Sequence, residues 1–497
     1  MDQPELPASD PDPYSDSESG PRAYEPPDAS RPASSSPTEG DLEREWPGGS
    51  RAKEHNPYAA LRIADFRRYI SGSVVSVIGQ QMLGVAVGWE LYERTHSATA
   101  LGLVGLAQAL PIIVLALPAG HLADRLDRKR IVLATQVLAA FCSLGLAITS
   151  YRHDAISDLA PIRLANVALE RAAMTCGEAD VRFVDRSVPL MFLFLFLMGV
   201  ARAFNDPARA TILPQIVPLA DFGNAVTWSS SGFQIASMVG PALGGLVVGY
   251  LDGYSFNYAL AYLSDAACAL VTFGFILPMA VGGRREGGEM TITSLAAGMR
   301  FVWRTKIILA TITLDMFAVL LGGAVALLPI FAKDILHSNA TGLGWLRAAP
   351  SIGAFLMALL LAHMPPMQKA GKTLLWAVAG FGVATIVFGL SRNFWLSFTM
   401  LLLTGAFDNI SVVVRHTLVQ VLTPDELRGR VSAINYVFIG TSNELGAFES
   451  GLTTAAFGPI WSVVGGGIGT ILVVIAVALI WPQVVRFGRL DRAHASG

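Results

Sequence analysis

The sequence predicts an all-α polytopic membrane protein, with twelve transmembrane helices in two pseudo-symmetric six-helix halves. Three observations carry this. First, the 497 residues are 53% hydrophobic and only 15% charged, with a mean hydropathy of +0.50, whereas soluble domains are roughly 25% charged. Second, runs of about 20 apolar residues, long enough to span a ~30 Å hydrocarbon core as helices, recur from Tyr69 to Pro482 with little between them. Third, the chain repeats itself. RATILPQIVPLADFG (Arg209 to Gly223) and RHTLVQVLTPDELRG (Arg415 to Gly429) match Arg, Thr, Pro and Gly at one offset, which still holds for Gly240 with Gly446 and Gly245 with Gly451.

In chain order, residues 1–56 are rich in Pro, Ser, Asp and Glu, the composition of a disordered tail, here expected to be cytoplasmic. No basic stretch followed by a short apolar run opens the chain, so the first span is expected to direct insertion. Apolar runs bounded by charge give spans at about 69–91, 100–119, 131–150, 188–205, 224–250, 256–281, 307–333, 341–363, 373–391, 394–414, 431–455 and 459–482. Glycines number 48 and are distributed through these runs, which favours close helix packing where lipid supplies no hydrophobic drive between helices. Lys and Arg cluster on alternate sides, which by the positive-inside rule puts both termini in the cytosol. The segment from Tyr151 to Ser187 opposes that reading, since it should be external yet carries five arginines. The longest internal loop, 283–306, separates an N-terminal half (57–282) from a C-terminal half (307–490). Two parallel repeats of this kind are expected to hold a small-molecule substrate near the bilayer midplane, between the halves.

Between the second and third spans stands GHLADRLDRKR, Gly120 to Arg130, with six charged side chains in eleven residues. Its basic residues, Arg125, Arg128, Lys129 and Arg130, can anchor a short loop in the cytosol. Together with the twelve spans, the repeat, DFRRYISGSVVSVIGQQM and NDPARATILP, this motif resembles the major facilitator superfamily, from residue 57 to about 490. Within it the likeness is to the branch of transmembrane secretion effectors of the bacterial enterobactin-exporter type. Asp127 stands where that superfamily usually has Gly.

The resemblance implies alternating access between the two halves and a cytoplasmic gate at Gly120 and Asp124, assisted by Arg125, Arg128 and Lys129. The expected counterpart of Asp124 is the start of the eleventh helix, with Thr423 as N-cap, Pro424 at the first helical position and Glu426 closing a capping box. A helix N-terminus favours a nearby carboxylate by about 0.3 to 2 kcal/mol.

Ionisable residues within spans are expensive and therefore functional candidates. They are Arg202, Asp265, Asp315, Asp408 and Glu444, with Arg347 early in the eighth span and Glu90 near the outer end of the first. The resemblance implies that the first, fourth, seventh and tenth helices line the cavity. Arg202 and Asp408 occupy equivalent positions of the two halves and are expected to pair. Asp315 is the expected proton site, because desolvation brings a carboxylate toward physiological titration; hydrogen bonding between helices is the structural alternative for it and for Asp408. GPALGG (Gly240, Pro241, Gly244, Gly245) resembles part of the superfamily's antiporter motif, which implies proton exchange; an ordinary kinked helix is the alternative. Gln80, Gln81, Trp89, Arg347 and Tyr436 are expected to line the substrate cavity, mainly apolar with a few polar groups.

Other functions find less support. The eight histidines form no HExxH pattern, and neither GxSxG nor GxxxxGK[ST] occurs, so no enzyme, metal or cofactor is expected. Cys142, Cys176 and Cys268 have no ligand-like spacing. Basic residues are scattered rather than gathered on one face, so no nucleic-acid partner is expected, and the sequence names no protein partner. The leading reading is proton-coupled export of a small amphipathic molecule, siderophore- or drug-like. An importer or facilitator of the same fold, and a non-transporting receptor or scaffold, are the alternatives.

Overall fold

The computed structural model describes residues 56–152, 160–175, 187–250, 256–281, 292–365 and 367–488. Twelve long helices dominate: α1 (Ala64–Thr95), α2 (Ala98–Arg125), α3 (Arg128–Tyr151), α4 (Val188–Ile216), α5 (Phe222–Tyr250), α6 (Asn257–Ile276), α7 (Lys306–Leu321), α8 (Ala340–His363), α9 (Ala370–Leu390), α10 (Phe394–Leu422), α11 (Asp425–Phe457) and α12 (Pro459–Ile480). Eleven of them are long and apolar enough to cross a membrane. The exception is α11, whose 33 residues include Asp425, Glu426, Arg428, Arg430, Glu444 and Glu449. The tail expected to be disordered lies outside the described residues.

Local sequence sets the helix boundaries. α1 stops at His96, which takes a left-handed conformation (φ 48), and Ser97 caps α2 by accepting from the Ala100 amide at 3.0 Å. Asn339 and Asn393 cap α8 and α10 in the same way. These polar caps satisfy amides that would otherwise lack partners at the helix starts. Asp127, the departure within GHLADRLDRKR, is such a cap: its carboxylate accepts from the Lys129 amide at 3.0 Å and opens α3. The charged motif is therefore the last turns of α2, a tight corner and the first turn of α3, rather than a loop.

α7 is shorter than its predicted span. At Gly322 and Gly323 it gives way to a 3-10 turn (Ala324–Leu327), a helical turn around Pro329 and a π-turn (Phe331–Ile335). Glycine and proline weaken a helix interior, and non-helical backbone at membrane depth is tolerated where it lines a cavity. Two further helices were not expected. Ala160–Thr175 lies in the α3–α4 connection. Ile292–Arg304 lies in the inter-half connection and docks on α11, where Val302 and Val431 share a buried cluster.

The packing is two-fold. In the N-terminal half α1 packs on α5 and α6, α3 on α4 and α6, and α2 on α4; adding six to each number gives the main pairings of the C-terminal half. Across the halves, α2 packs on α11 and α5 on α8, two contacts that exchange under the same symmetry. This is the expected pair of six-helix halves.

Candidate functional site

The two cross-half contacts are made by glycines. A Cβ on Gly245 of α5 would come within 2.7 Å of the Gly344 Cα of α8, and one on Gly451 of α11 within 2.6 Å of the Gly102 Cα of α2. Both contacts lie at the end of the bundle away from the chain termini, where α2 and α8 begin and α5 and α11 end. Within GPALGG, Gly240 and Gly244 face Ile78, Gln81 and Met82 of α1. The motif thus lets α5 approach one helix of its own half and one of the other. Toward the termini end, Gly120 in α2 and Gly429 and Gly440 in α11 have no atom of the described residues within 4 Å of where a Cβ would stand.

Between the halves lies a cavity of about 560 Å³, within the range of small-molecule sites. α1 supplies Gln80, Gln81 and Gly84, α2 Gln108, α3 Gln136, α4 Arg202 and Asn205, α6 Asp265, α8 Arg347, α10 Asp408, and α11 Asn443 and Glu444; the broken end of α7 adds backbone from Gly322 to Ala326 and Pro329. Leu83, Val104, Met198, Phe381 and Phe388 form much of the apolar wall.

The charges fall into distinct groups. Arg202 donates from Nη1 to Glu444 Oε1 at 2.9 Å and to Gln108 Oε1 at 3.0 Å. The cross-half partner of Arg202 is therefore Glu444, not the expected Asp408. Equivalence by repeat puts two residues at the same depth but does not bring them together. Asp408 forms no ion pair among the described residues. Asp265 is buried and accepts from the Ser143 hydroxyl at 2.5 Å. Arg347 reaches across from α8, its Nη1 donating to the Gly84 carbonyl of α1 at 2.7 Å.

Three expected residues lie elsewhere. Asp315 does not line the main cavity; it is buried against Arg415, with which it forms an ion pair, and it shares a small crevice with Asp408 and Ser411. Glu90 is fully buried among Arg94 (2.5 Å), Ser150 (2.7 Å) and the Tyr262 hydroxyl. Trp89 is buried in the apolar core and carries Lys333 over its ring at 5.9 Å. In each case the helix face, invisible in a uniformly apolar run, turns the side chain away from the cavity.

At the end away from the termini, polar contacts reinforce the glycine seams. Lys333, beyond the break in α7, pairs with Glu93 of α1 at 3.0 Å, the Tyr258 hydroxyl donates to the same carboxylate, and that of Tyr92 donates to Asp334. Charges at the ends of apolar runs read in sequence as span boundaries, so these were missed. At the opposite end, the side chains of Asp124, Arg125 and Glu426, like that of Tyr436, lie outside the described residues. Lys129 donates to the Met279 carbonyl at 2.8 Å. Thr423 is not the N-cap of α11. Its extended backbone closes α10, Pro424 (ψ 146) occupies the cap position without a side-chain hydrogen bond, and the buried Thr423 hydroxyl has no partner among the described residues. Among the described residues no cluster of His, Cys, Asp and Glu is suited to a metal ion.

The whole-chain comparisons agree with this architecture. The transmembrane secretion effector profile matches residues 55–164 and 162–491. The enterobactin exporter EntS of Escherichia coli O1:K1 is 24% identical over 443 residues, 88% of this chain and 94% of the exporter. The EntS of Shigella boydii serotype 18 gives the same figures. Among solved structures, a bacterial homolog of the human lysosomal transporter Spinster, inward-facing and occupied, superposes with a TM-score of 0.62 at 13% identity, covering 87% of this chain and 99% of that one. The nucleoside transporter NupG reaches 0.57 at 12% identity, covering 85% and 99%.

Proposed function

The chain belongs to the transmembrane secretion effector family of major facilitator transporters, and from that premise we propose that it exports a small amphipathic molecule across a bacterial cytoplasmic membrane in exchange for protons, by alternating access. The observation that carries the reading is a polar-studded cavity between two halves joined by glycine seams at one end, with open space beside Gly120, Gly429 and Gly440 toward the other; we take that more open end as the entrance. With both termini cytoplasmic, that end faces the cytosol and the cavity is loaded from there. Rocking the halves about the midplane would part Gly245 from Gly344 and Gly102 from Gly451, break the Glu93–Lys333 pair and release the molecule outside. Asp124 and the basic corner beside it would then meet the start of α11 and hold the cytoplasmic end shut.

Proton coupling falls to Asp408, a carboxylate facing the cavity, backed by the crevice that leads to Asp315. A carboxylate there can exchange a proton with the cavity in one state and be shielded in the other. The relatives' name puts enterobactin among the compounds worth trying first. The test uses inside-out membrane vesicles with an acidified lumen and a panel of siderophores, drugs and dyes. Substrate-dependent loss of lumenal acid in wild type, absent in Asp408→Asn, is the expected outcome. Uptake of labelled compounds with no proton movement would replace exchange by facilitated passage; no uptake of any compound would remove export.

A further inference from the structure

We propose that Arg347 is an anion-binding anchor at the closed end of the cavity, and that the transported molecule is an acidic amphipath, carrying a carboxylate or similar anion beside its apolar body. The inference rests on the transport reading above and adds the class of substrate.

Arg94, Arg202, Arg347 and Arg415, which lie in helix interfaces or on the cavity, differ in one respect. Arg94, Arg202 and Arg415 each face a carboxylate: Glu90, Glu444 and Asp315. Arg347 has no carboxylate within ion-pair distance among the described residues. A guanidinium in a lipid-shielded interior is costly without a counter-charge, and its five N–H donors have one protein acceptor here, the Gly84 carbonyl. That contact positions the group. α1 carries no side chain beside it, since a Cβ on Gly84 would stand 2.8 Å from Nη2 and one on Gly88 3.9 Å from Nη1. Both terminal nitrogens and Cζ thus lie beside the α1 glycines, and Arg347 also lines the cavity, so its remaining N–H donors are available to an oxyanion there.

The other cavity charges set the orientation. Arg202 and Glu444 neutralise each other. Asp265 lies against Gly79 of α1, about 7 Å nearer the termini end than Gly84 by helical rise, and Asp408 lies in the middle of α10. Glu444 also acts on Arg347 across the cavity but is held by Arg202 at 2.9 Å, so the closed end keeps one cation without an ion-pair partner while Asp265 and Asp408 lie toward the open side. An acidic head seated on Arg347, with its apolar body along Leu83, Phe381 and Phe388, satisfies both the charge and the wall.

The test compares two fluorescent probes with one aromatic skeleton, 8-anilinonaphthalene-1-sulfonate and the uncharged N-phenyl-1-naphthylamine. Both are titrated into the full-length protein in lipid nanodiscs, with empty nanodiscs giving the lipid background. Saturable binding of the sulfonate in wild type is expected to weaken about tenfold in Arg347→Gln, the scale of one charge-assisted hydrogen bond, and to be largely kept in Arg347→Lys. Binding of the uncharged probe should change less than twofold, and an unchanged melting midpoint confirms the fold. Absence of saturable sulfonate binding in wild type, an unchanged affinity in Arg347→Gln, or equal weakening of both probes overturns the anchor. Binding needs no gradient, so the two readings fail separately. A protein that holds the sulfonate through Arg347 but moves nothing across energised vesicles refutes export alone. One that exports only neutral or cationic compounds refutes the anchor alone.

Discussion

The two halves share one plan of helix contacts but bury their charges at different depths. The repeat places Arg209 and Arg415 at equivalent positions. In the N-terminal half Arg209 lies over the Tyr69 ring at 5.9 Å, partly accessible. In the C-terminal half Arg415 is 2% exposed and paired with Asp315. The N-terminal half instead buries its ion pair, Glu90 with Arg94, near the end away from the termini, where Ser150 and Tyr262 tie it to α3 and α6. Each half is thus fastened internally at one level, and the two levels are opposite. The lesson is that the repeat preserves backbone packing, while the buried polar contacts differ between the halves.

The largest expected effect breaks the comparison at its strongest point. Arg415→Ala leaves Asp315 buried and unpaired and should cost about 3–5 kcal/mol, against under about 1 kcal/mol for Arg209→Ala, whose cation–π contact is partly solvated. Thermal unfolding of the two variants in nanodiscs measures the contrast; equal shifts would mean that the halves are fastened alike. Next, Glu90→Gln removes the charge from a hydrogen-bonded buried cluster and should lower stability by about 1.5–3 kcal/mol, read in the same melts. A loss much below that would make the Glu90 cluster decorative.

Gly245 and Gly451 sharpen the symmetric side of the comparison. They are repeat-equivalent, and each touches backbone of the other half, Gly344 and Gly102. Substituting either by alanine should force the seam apart at a cost of about 1–3 kcal/mol and move the population toward a form open at the end away from the termini. Distance measurements between spin labels on the two halves should give equal shifts for both variants; a shift in only one would break the symmetry. The smallest effect belongs to Lys333→Glu, which sets like charges beside Glu93 and should favour the same opening by roughly 1 kcal/mol or less. Adding Glu93→Lys should restore wild-type label distances, and a double variant that stays open would show that the pair does not hold the seam.

Much of this fold is legible in the sequence. Apolar run length gave the helices, and a constant offset between RATILPQIVPLADFG and RHTLVQVLTPDELRG gave the halves. The break in α7 was also written there, as GG and a proline within one apolar run, but length alone merged its pieces. The site was less legible, because a span that is apolar on all faces does not disclose which face a charge occupies. Gln80, Gln81, Arg347 and Asp408 do reach the cavity, whereas Asp315, Glu90 and Trp89 turn into helix interfaces. Arg415 shows the same limit: it served as a landmark of the repeat, although its depth in α10 marked it as a buried charge in need of a partner.

The bare seams have a mechanical consequence. Interlocked side chains must withdraw from their sockets before two helices can change angle, and each withdrawal adds to the barrier. At Gly102 with Gly451 and at Gly245 with Gly344, smooth backbone meets smooth backbone, so in the proposed alternating access the halves would roll over one another as on a pair of fulcrums. On that proposal the resistance to rocking would be concentrated in the few polar clasps beside them, where a change in ligand or protonation would release it.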